Sequence, residues 1–282
     1  MRALAVASAM LVGSASLASA TTITFSDFSS TAGLSINGMA ATAVDAGGRN
    51  VLRVTRSALN QGGSVFSTDA ISLASNASFS TKFVFNINTP INGGADGLVF
   101  VVQTVSSSVG GIGGGIGYFG LNNSVGVEFD NWPNGSGLGD PDDNHVAIDI
   151  NGVLGAPLAV QSIDPTTINL DGSGDVTVWV DYNGATDLLE VRFNKTGLRP
   201  ASADISATVD LVSVLGSTNA FVGFTSGTGA AGANHDVISW EFRDDFAPVD
   251  VDPPPVDAVP APASLLVLGA GLVGLAGLRR RR

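Results

Sequence analysis

The sequence has no cysteine, few basic residues and, in its central region, no apolar period of helical spacing that lasts three turns. Without cysteine there are no disulfides, so stability must come from a packed core and from any bound metal. Five of the 13 basic residues, Arg2 and Arg279–Arg282, stand in terminal segments without acids, which leaves 8 basic against 25 acidic residues. This acidic excess disfavours nucleic acid and anionic lipid as partners and suits cation binding.

The first 20 residues differ in composition from the rest of the chain. Arg2 is followed by an apolar run, and the segment closes on Ala18-Ser19-Ala20. A basic residue, an apolar stretch and a small-x-small site are the parts of a secretory signal peptide. Residues 1–20 are therefore predicted to direct export, and they are excluded from the fold.

Residues 21–246 show an almost purely β pattern. Apolar and polar residues alternate over 79–87 and again over 176–182, which is the period of half-buried strands. The dipeptide Asn183-Gly184 then separates the second run from residues 188–193, which predicts a hairpin. Further strands are predicted at residues 23–28, 51–55, 98–103, 221–225 and 237–243. Many short strands without a linker between them predict one all-β domain, a sandwich or a barrel.

Residues 125–151 carry the strongest chemical signal. A short apolar strand brings Glu128 and Asp130 to one face, because residues two apart in a strand point the same way. Two neighbouring carboxylates repel each other unless a cation lies between them. The Gly- and Asn-rich loop that follows adds the oxygen ligands of Asn134 and Asp140 and the imidazole of His145, before a second strand at 146–150. We interpret this stretch as a metal site, with Asp130 and Asp140 placed to bridge two ions.

The ligand types narrow the choice of metal. Calcium takes about six to eight oxygen ligands, whereas carboxylates with one imidazole suit manganese or a similar transition ion. An EF-hand is excluded because the twelfth position counted from Asp130 is Pro141, where that loop needs glutamate. The alternative is an acidic, solvated loop that joins two strands, since Asp, Asn, Gly and Pro are common loop residues.

Several segments, in order along the chain, resemble the legume-type (L-type) lectin domain. They are A-D-G-L-V-F at 95–100, the glycine run 113–115, V-E-F-D-N-W-P-N at 127–134, D-P-D-D-N-H-V-A-I-D-I-N at 140–151, V-W-V-D-Y-N-G at 178–184 and H-D-V-I-S-W-E-F at 235–242. The resemblance covers residues 21–246. It implies a concanavalin-like jelly-roll β-sandwich of antiparallel sheets and a non-catalytic protein that binds glycans.

The same resemblance implies paired manganese and calcium ions. The residues implied for the transition metal are Glu128, Asp130, Asp140 and His145. Those implied for calcium are Asp130, Asn134, Asp140 and the backbone carbonyl of Trp132. Two features depart from the family pattern: the segment from Asn134 to Asp140 is one residue longer, and Asn151-Gly152 replaces the common Asn-Ser.

The resemblance also implies a saccharide site beside the metals. Its residues are Asp96 as acceptor from two sugar hydroxyls, the Asn134 amide as donor, the N–H of Gly115, the ring of Trp132 and the N–H of Ala230 in the loop 228–234. It further implies a cis peptide bond between Ala95 and Asp96. His235 and Trp240 are assigned to strand packing.

Two other functions remain open at this stage. Glycoside hydrolases use the same sandwich, but they need two carboxylates that flank the scissile bond. The related hydrolase pattern has a third acid after E-x-D, and the chain has Asn131-Trp132-Pro133 there instead. A structural matrix or adhesion protein with a decayed sugar site is the other alternative. If the protein binds glycans, homo-oligomers or dense display would raise its avidity.

The C-terminal 36 residues are not part of the predicted domain. Residues 247–262 form a Pro- and Asp-rich linker, and residues 263–282 are an apolar run with four terminal arginines. The plain interpretation is a transmembrane helix whose arginines stay cytoplasmic. With Val259-Pro260-Ala261-Pro262 the segment also resembles the PEP-CTERM sorting signal of Gram-negative bacteria. That resemblance implies an exosortase-type processing enzyme as partner, a transient membrane anchor and a final location at the cell surface or outside the cell.

Overall fold

A computed structural model describes residues 21–74, 78–172 and 174–250. Within these ranges the fold is all-β, with one 3₁₀ turn at Gly113–Gly115 and one short helix, α1, at Leu211–Leu215. The strands are β1 Thr22–Phe25, β2 Leu34–Gly38, β3 Ala41–Val44, β4 Asn50–Thr55, β5 Gly62–Ser67, β6 Ile71–Ser72, β7 Phe79–Ile91, β8 Gly97–Gln103, β9 Ser124–Asp130, β10 His145–Ile150, β11 Ala159–Ser162, β12 Val176–Asn183, β13 Leu188–Asn194, β14 Ile205–Thr208, β15 Asn219–Gly227 and β16 Gly232–Arg243.

The strands form two antiparallel sheets that pack face to face. The back sheet has the order β14-β13-β12-β7-β16-β4-β3, and β1 pairs with the far end of β16. The front sheet has the order β11-β10-β9-β8-β15-β5-β2, and β6 pairs with β15. Neighbours that are distant in sequence, such as β7 and β16, are typical of a jelly roll. The predicted jelly-roll sandwich is confirmed.

Alternating side chains of both sheets fill the main core. On β7 and β12 the apolar residues of the predicted period point inward, and Phe79, Phe83, Val178 and Val180 are buried. Phe83 and Phe224 meet edge to face across the two sheets, with ring centroids 5.1 Å apart. Aromatic pairs of this geometry add to the stabilisation that area burial provides.

A second, smaller core lies on the outer face of the front sheet. Residues 104–123, named here the covering loop, fold over β8 and bring Ile116, Tyr118 and Leu121 onto Val99 and Val101. Every residue of β8 is consequently buried, since its two faces meet two different cores. The covering loop thus forms one wall of the rim where the predicted site residues lie.

Several strands differ from the sequence prediction. The first ends at Phe25 rather than Phe28, and β15 and β16 extend beyond the predicted bounds. Strands β2, β3, β5, β6, β11 and β14 are absent from the sequence prediction. The sequence signal of β5 is weak because it begins Gly-Gly-Ser, and the edge strands β3 and β11 carry mostly exposed residues.

The ordered chain continues past Phe246, the end of the predicted domain. Val249 is buried, and Asp250 accepts hydrogen bonds from Lys82 and from Trp179 Nε1. Residues 247–250, which the sequence assigns to the linker, therefore lie against the back sheet. The signal peptide, the rest of the linker and the predicted transmembrane and sorting segment lie outside the described residues. Within the described ranges no helix is long and apolar enough to cross a membrane.

Candidate metal and ligand site

The predicted carboxylates lie on the outer face of the front sheet. On β9, Val127 and Phe129 point into the main core, while Glu128 and Asp130 point outward, as the sequence predicts. The register pairs Asp130 with His145 of β10. Gly126 precedes them on the same face, and a Cβ there would lie 2.9 Å from the Tyr118 ring, so glycine lets that ring pack on the sheet.

Three of the four predicted transition-metal ligands converge within coordination range. One ligand atom each of Asp130, Asp140 and His145 lies within 4.8 Å of the other two. Glu128 is close as well, with its Oε1 3.4 Å from His145 Nε2. His145 Nδ1 lies 3.2 Å from the carbonyl oxygen of Asp142. With Nδ1–H donating to this carbonyl, the lone pair of Nε2 faces the carboxylates.

Sequence reasoning missed one further carboxylate, Asp149. It stands four residues after His145 on β10, hence on the same outward face, and it is fully buried. Neither of its carboxylate oxygens has a hydrogen-bond partner among the described residues. The even spacing from His145 is the signal that could have identified it. We call Glu128, Asp130, Asp140, His145 and Asp149 the acidic cluster.

Burial and mutual repulsion dominate the electrostatics of the acidic cluster. Burial raises the pKa of Asp130 well above its usual range and the pKa of Asp149 to about 10. The negative charge of Glu128 is the second cause of both shifts. The pKa of Glu128 is also raised by burial, although His145 opposes the change. Burial lowers the pKa of His145, but the nearby carboxylate of Glu128 outweighs it and the net shift is upward. The cluster therefore has more negative charge than its protein neighbours neutralise.

The acidic loop, residues 131–144, connects β9 to β10 and is tied to the cluster by its backbone. The N–H of Trp132 donates to Asp130 Oδ1 at 2.7 Å, and the N–H of Asn134 donates to Asp140 Oδ2 at 2.6 Å. The extra residue between Asn134 and Asp140 is accommodated by a turn in which Leu138 N–H donates to Gly135 O. Trp132 and Asn134, which carry two of the predicted calcium ligands, are therefore held against the carboxylates of Asp130 and Asp140 by their backbone N–H groups.

These donors fit the implied ions. His145 Nε2 is buried and has no hydrogen-bond partner among the described residues. Unpartnered buried nitrogen and carboxylate atoms are costly unless a cation or another partner satisfies them. Carboxylates with one imidazole suit a manganese-type ion, and the loop adds the amide and carbonyl oxygens that calcium prefers.

Asp96 lies next to the acidic cluster and is held by its backbone. The Ala95–Asp96 peptide bond is cis, as predicted. The N–H of Asp96 donates to Gly227 O, and its carbonyl accepts from Asn131 N–H, both at 3.1 Å. Its side chain is buried, and Oδ2 has no partner among the described residues. Burial raises the Asp96 pKa to about 7. The carboxylate is thus an available acceptor at the rim.

The glycine run 113–115 faces Asp96 and Asn134, but not as the sequence predicts. The N–H of Gly115 donates to Ile112 O at 3.1 Å within the 3₁₀ turn, so it is already engaged. Gly114 lies against Asn134, where a Cβ would be 2.4 Å from Nδ2. No backbone partner of Gly114 N–H is found in the described ranges. Gly114 is therefore the better candidate for the donor role assigned to Gly115.

Trp132 and Ala230 both lie beside the turn at Asn92-Gly93. The Trp132 ring is partly exposed and lies beside Gly93, where a Cβ would be 3.5 Å from its Cζ3. Ala230 is fixed through its carbonyl, which accepts from Asn92 Nδ2 at 2.9 Å. The adjacent Gly229 lies close to Asp96, with a Cβ position 3.4 Å from Oδ2. The loop 228–234 thus lies beside Asp96, as predicted.

The structure explains the glycine at position 152. Gly152 has φ +64°, and a Cβ there would lie 2.3 Å from Leu121 N. Its carbonyl accepts from Gly120 N–H at 2.9 Å. A serine at this position would collide with the covering loop, so the departure from the family pattern follows from how that loop packs.

A buried hydrogen-bond chain runs beneath Asp96 from the back sheet to the front sheet. Ser226 Oγ donates to Gly97 O at 2.7 Å, so it must accept from Thr55 Oγ1, 2.8 Å away. Thr55 Oγ1 in turn accepts from His235 Nδ1 at 2.7 Å. Burial lowers the His235 pKa to about 3, which keeps the ring neutral. His235 and Trp240 both pack inside the sandwich, as predicted.

Comparisons with known proteins place the chain in one family. The model of the legume lectin domain matches residues 20–255. Over 174 residues the chain is 37% identical to the leucoagglutinating phytohemagglutinin of Phaseolus vulgaris, which covers 59% of this chain and 60% of that protein. Over 178 residues it is 33% identical to L-type lectin-domain containing receptor kinase VIII.1 of Arabidopsis thaliana, 24% of whose length is matched. The chain thus spans less than two thirds of these relatives.

Solved structures share the fold. A Bauhinia forficata lectin in complex with GalNAc has a TM-score of 0.68 at 23% identity, over 80% of this chain and 98% of that chain. The metal-free form of lectin I-B4 from Griffonia simplicifolia has a TM-score of 0.66 at 26% identity, over 79% and 98%. Lectin I of Ulex europaeus, solved with the methyl glycoside of α-L-fucose, has a TM-score of 0.65 at 25% identity, over 80% and 98%.

Proposed function

The chain belongs to the legume lectin domain family, and from this premise we propose that it is a metal-dependent carbohydrate-binding protein without catalytic activity. One observation carries the proposal. The unpartnered, buried Oδ2 of Asp96 lies on the same rim as Gly114, Asn134 and Trp132, directly beside the acidic cluster. An acceptor, an amide donor and an aromatic face together can bind the hydroxyls and the apolar side of one saccharide ring.

We propose that Glu128, Asp130, Asp140 and His145 hold Mn²⁺ or a similar ion. For Ca²⁺ the proposed ligands are Asp130, Asn134, Asp140 and the Trp132 carbonyl. The ions supply the positive charge that the acidic cluster lacks and fix the acidic loop in one conformation. Asp96 then accepts hydrogen bonds from sugar hydroxyls, Asn134 Nδ2 and Gly114 N–H donate to them, and Trp132 excludes water from one ring face. Ala230 N–H is a further donor in this proposal.

Catalysis is less well supported than binding. Glu128 and Asp130 are buried, and Glu128 is directed at His145 rather than at the rim. A retaining hydrolase needs two carboxyl groups about 5–5.5 Å apart that both reach the substrate. The relatives reported above are lectins or receptor kinases with a lectin domain. This chain matches only 24% of the length of the receptor kinase.

Affinity for one saccharide should be modest. Four or five hydrogen bonds at about 1 kcal/mol each, with one ring contact, give Kd values between about 1 mM and tens of μM. We propose that homo-oligomers or dense surface display raise the avidity. The signal peptide would export the protein. Residues 263–282 would then anchor it or be processed by an exosortase-type enzyme, so that the domain is presented outside the cell. This part of the proposal rests on the sequence alone.

The test is a glycan array probed with Ca²⁺ and Mn²⁺ present, after chelation and with Asp96→Ala. We expect binding that chelation abolishes and metals restore, and that Asp96→Ala abolishes with metals present. Asp143→Asn is the matched control, because Asp143 is in the acidic loop and is exposed. Binding that persists after chelation and in Asp96→Ala would rule out this site.

A further inference from the structure

The chain contains five Asn-Gly dipeptides, and one of them, Asn134-Gly135, lies in the proposed saccharide and calcium site. Asparagine is a thermolabile residue because its side-chain amide can be lost. The loss is fastest before glycine, since glycine has no Cβ to hinder attack by its backbone nitrogen. The surroundings of the five dipeptides decide which of them is open to this reaction.

Four of the five asparagines have side-chain amides that are held by hydrogen bonds. Asn37 Nδ2 donates to Ser64 Oγ and Ser106 O, Asn92 Nδ2 donates to Ala230 O, Asn151 Oδ1 accepts from Asn123 N–H, and Asn183 Oδ1 accepts from Ala185 N–H. At Asn183 the attacking nitrogen is engaged as well, because Gly184 N–H donates to Ser78 Oγ at 2.9 Å. These four dipeptides are therefore restrained in the folded protein.

Asn134 and Gly135 have none of these restraints. Both residues are exposed. The Asn134 backbone N–H donates to Asp140 Oδ2, but the Asn134 carboxamide has no hydrogen-bond partner among the described residues. Gly135 N–H has no acceptor there either, and Gly135 has φ +79° with open space where a Cβ would stand. This dipeptide thus has a free carboxamide next to a free backbone nitrogen.

We propose that Asn134 is a site of spontaneous deamidation and that bound calcium protects it. The inference rests on the proposed function, because protection requires Asn134 to be a calcium ligand. In the reaction the Gly135 nitrogen forms a bond to Asn134 Cγ, the Cγ–Nδ2 bond breaks, and Nδ2 leaves as ammonia with the proton from Gly135 N–H. Water then opens the cyclic imide at either carbonyl and gives aspartate or isoaspartate. Calcium on Oδ1 restrains the carboxamide, as hydrogen bonds restrain the other four, and so slows the first step.

Deamidation changes the chemistry of the saccharide site. The Asn134 amide is the proposed donor to a sugar hydroxyl, and a carboxylate has no N–H to donate. Isoaspartate in addition places the side-chain carbon in the main chain of the acidic loop, which moves the residues on either side. Protein that has lost its metals therefore loses glycan binding irreversibly, and adding the metals again does not restore it.

The test incubates the full-length protein well below its melting temperature, with Ca²⁺ and Mn²⁺ or with chelator. Peptide mass spectrometry follows the change from amide to acid at each Asn-Gly dipeptide. In chelator, conversion at Asn134 should be at least about ten-fold faster than at Asn183, where two hydrogen bonds must open first. The metals should slow conversion at Asn134 at least about ten-fold, because only the metal-free fraction reacts. Glycan binding, measured after the metals are restored, should decline in step with conversion.

Gly135→Asn and Gly137→Ala are a matched pair of variants in the acidic loop. Asparagine tolerates the left-handed backbone of position 135, and its Cβ hinders the attack, so conversion at Asn134 should slow at least about five-fold. Gly137 has open space at its Cβ position and no left-handed φ, so Gly137→Ala should convert at the wild-type rate. Asn134→Asp, which mimics one product, should bind glycans at least about ten-fold more weakly than wild type with metals present.

Two results would overturn the modification site. One is conversion at Asn134 in chelator that is no faster than at Asn183, and the other is an equal rate at Asn134 with and without metals. If fresh, metal-loaded protein binds no glycan, the proposed function fails. Conversion at Asn134 that the metals suppress would still support the modification site in that case, since protection depends on calcium and not on sugar.

Discussion

The outer faces of the two sheets both bury aspartates, but they neutralise them differently. On the back sheet, Asp181 is fully buried and accepts from Arg192 and Arg199. On the front sheet, the carboxylates of the acidic cluster have each other, one imidazole and a few backbone N–H groups as neighbours. The back face has its counter-charges within the chain, and the front face does not.

This difference separates residues that stabilise the fold from residues that bind ligands. The charge of a buried carboxylate paired with arginine is neutralised before any ligand arrives, although Asp181 Oδ1 itself has no hydrogen-bond partner among the described residues. Clustered carboxylates have raised pKa values and unpartnered oxygens, and such groups concentrate at functional sites. The comparison predicts that changes on the back face alter stability and spare binding, whereas changes on the front face do the reverse.

The largest expected effect is on the back face. Asp181→Asn leaves the buried guanidinium groups of Arg192 and Arg199 without their carboxylate, so we expect the free energy of unfolding to fall by about 3–5 kcal/mol. Chemical denaturation with metals present measures this change. Glycan affinity well below the unfolding transition should equal that of wild type. A variant that is stable but does not bind would contradict the division between the faces.

On the front face, Asp130→Asn should have opposite effects with and without metals. It removes one of the predicted bridging ligands, so glycan affinity in Ca²⁺ and Mn²⁺ should fall at least about 100-fold, or about 2.7 kcal/mol. In chelator the same variant should be as stable as wild type or more stable, because a buried like charge is gone. Glycan titrations, and thermal melts with and without chelator, measure the two effects, with Asp143→Asn as the control. Destabilisation of the chelated variant would show that Asp130 is a structural residue.

The sequence predicted the front face far better than the back. Glu128 and Asp130 could be assigned because strand alternation is local, and the acidic loop follows them directly. Asp149 was missed because one aspartate in an alternating strand also fits a solvated face. Which N–H of the glycine run is free depends on the 3₁₀ turn, which glycine repeats do not specify.

On the back face, Trp179 alternates with core valines, so the sequence pattern indicates an exposed side chain. In the structure Trp179 is buried, because Asp250, 71 residues away, lies over it and accepts from its Nε1.

The pH dependence of stability should reverse between the chelated and the metal-loaded protein. Asp96 and Asp149 have folded pKa values of about 7 and about 10, above the unfolded value of about 3.9. The stability they contribute is fully present below about pH 4 and is lost as pH rises through the folded pKa values. Each such proton changes the free energy of unfolding by at most about 1.4 kcal/mol per pH unit.

We therefore expect the chelated protein to melt at lower temperature at pH 8 than at pH 5. The metal-loaded protein should show the opposite trend, because acid protonates His145 and the carboxylates and releases the ions. Melting curves at pH 5, 6, 7 and 8 with either chelator or both metals provide the comparison. Parallel trends in the two series would mean that the acidic cluster does not control stability.

The smallest predicted effect concerns the buried chain that links the two faces beneath Asp96. Thr55→Val keeps the shape of the side chain but leaves Ser226 Oγ and His235 Nδ1 without their shared partner, so stability should fall by about 1–3 kcal/mol. Ser226 also holds the carbonyl of Gly97, the residue after Asp96, and a shift there should weaken glycan binding about three- to ten-fold at saturating metal. Thr55→Ser retains the hydroxyl and should restore most of the affinity. Glycan titrations far below the melting temperature distinguish an effect on the position of Asp96 from an effect on stability alone. If Thr55→Val is less stable but binds glycans like wild type, the hydrogen-bond chain stabilises the sandwich and does not position Asp96.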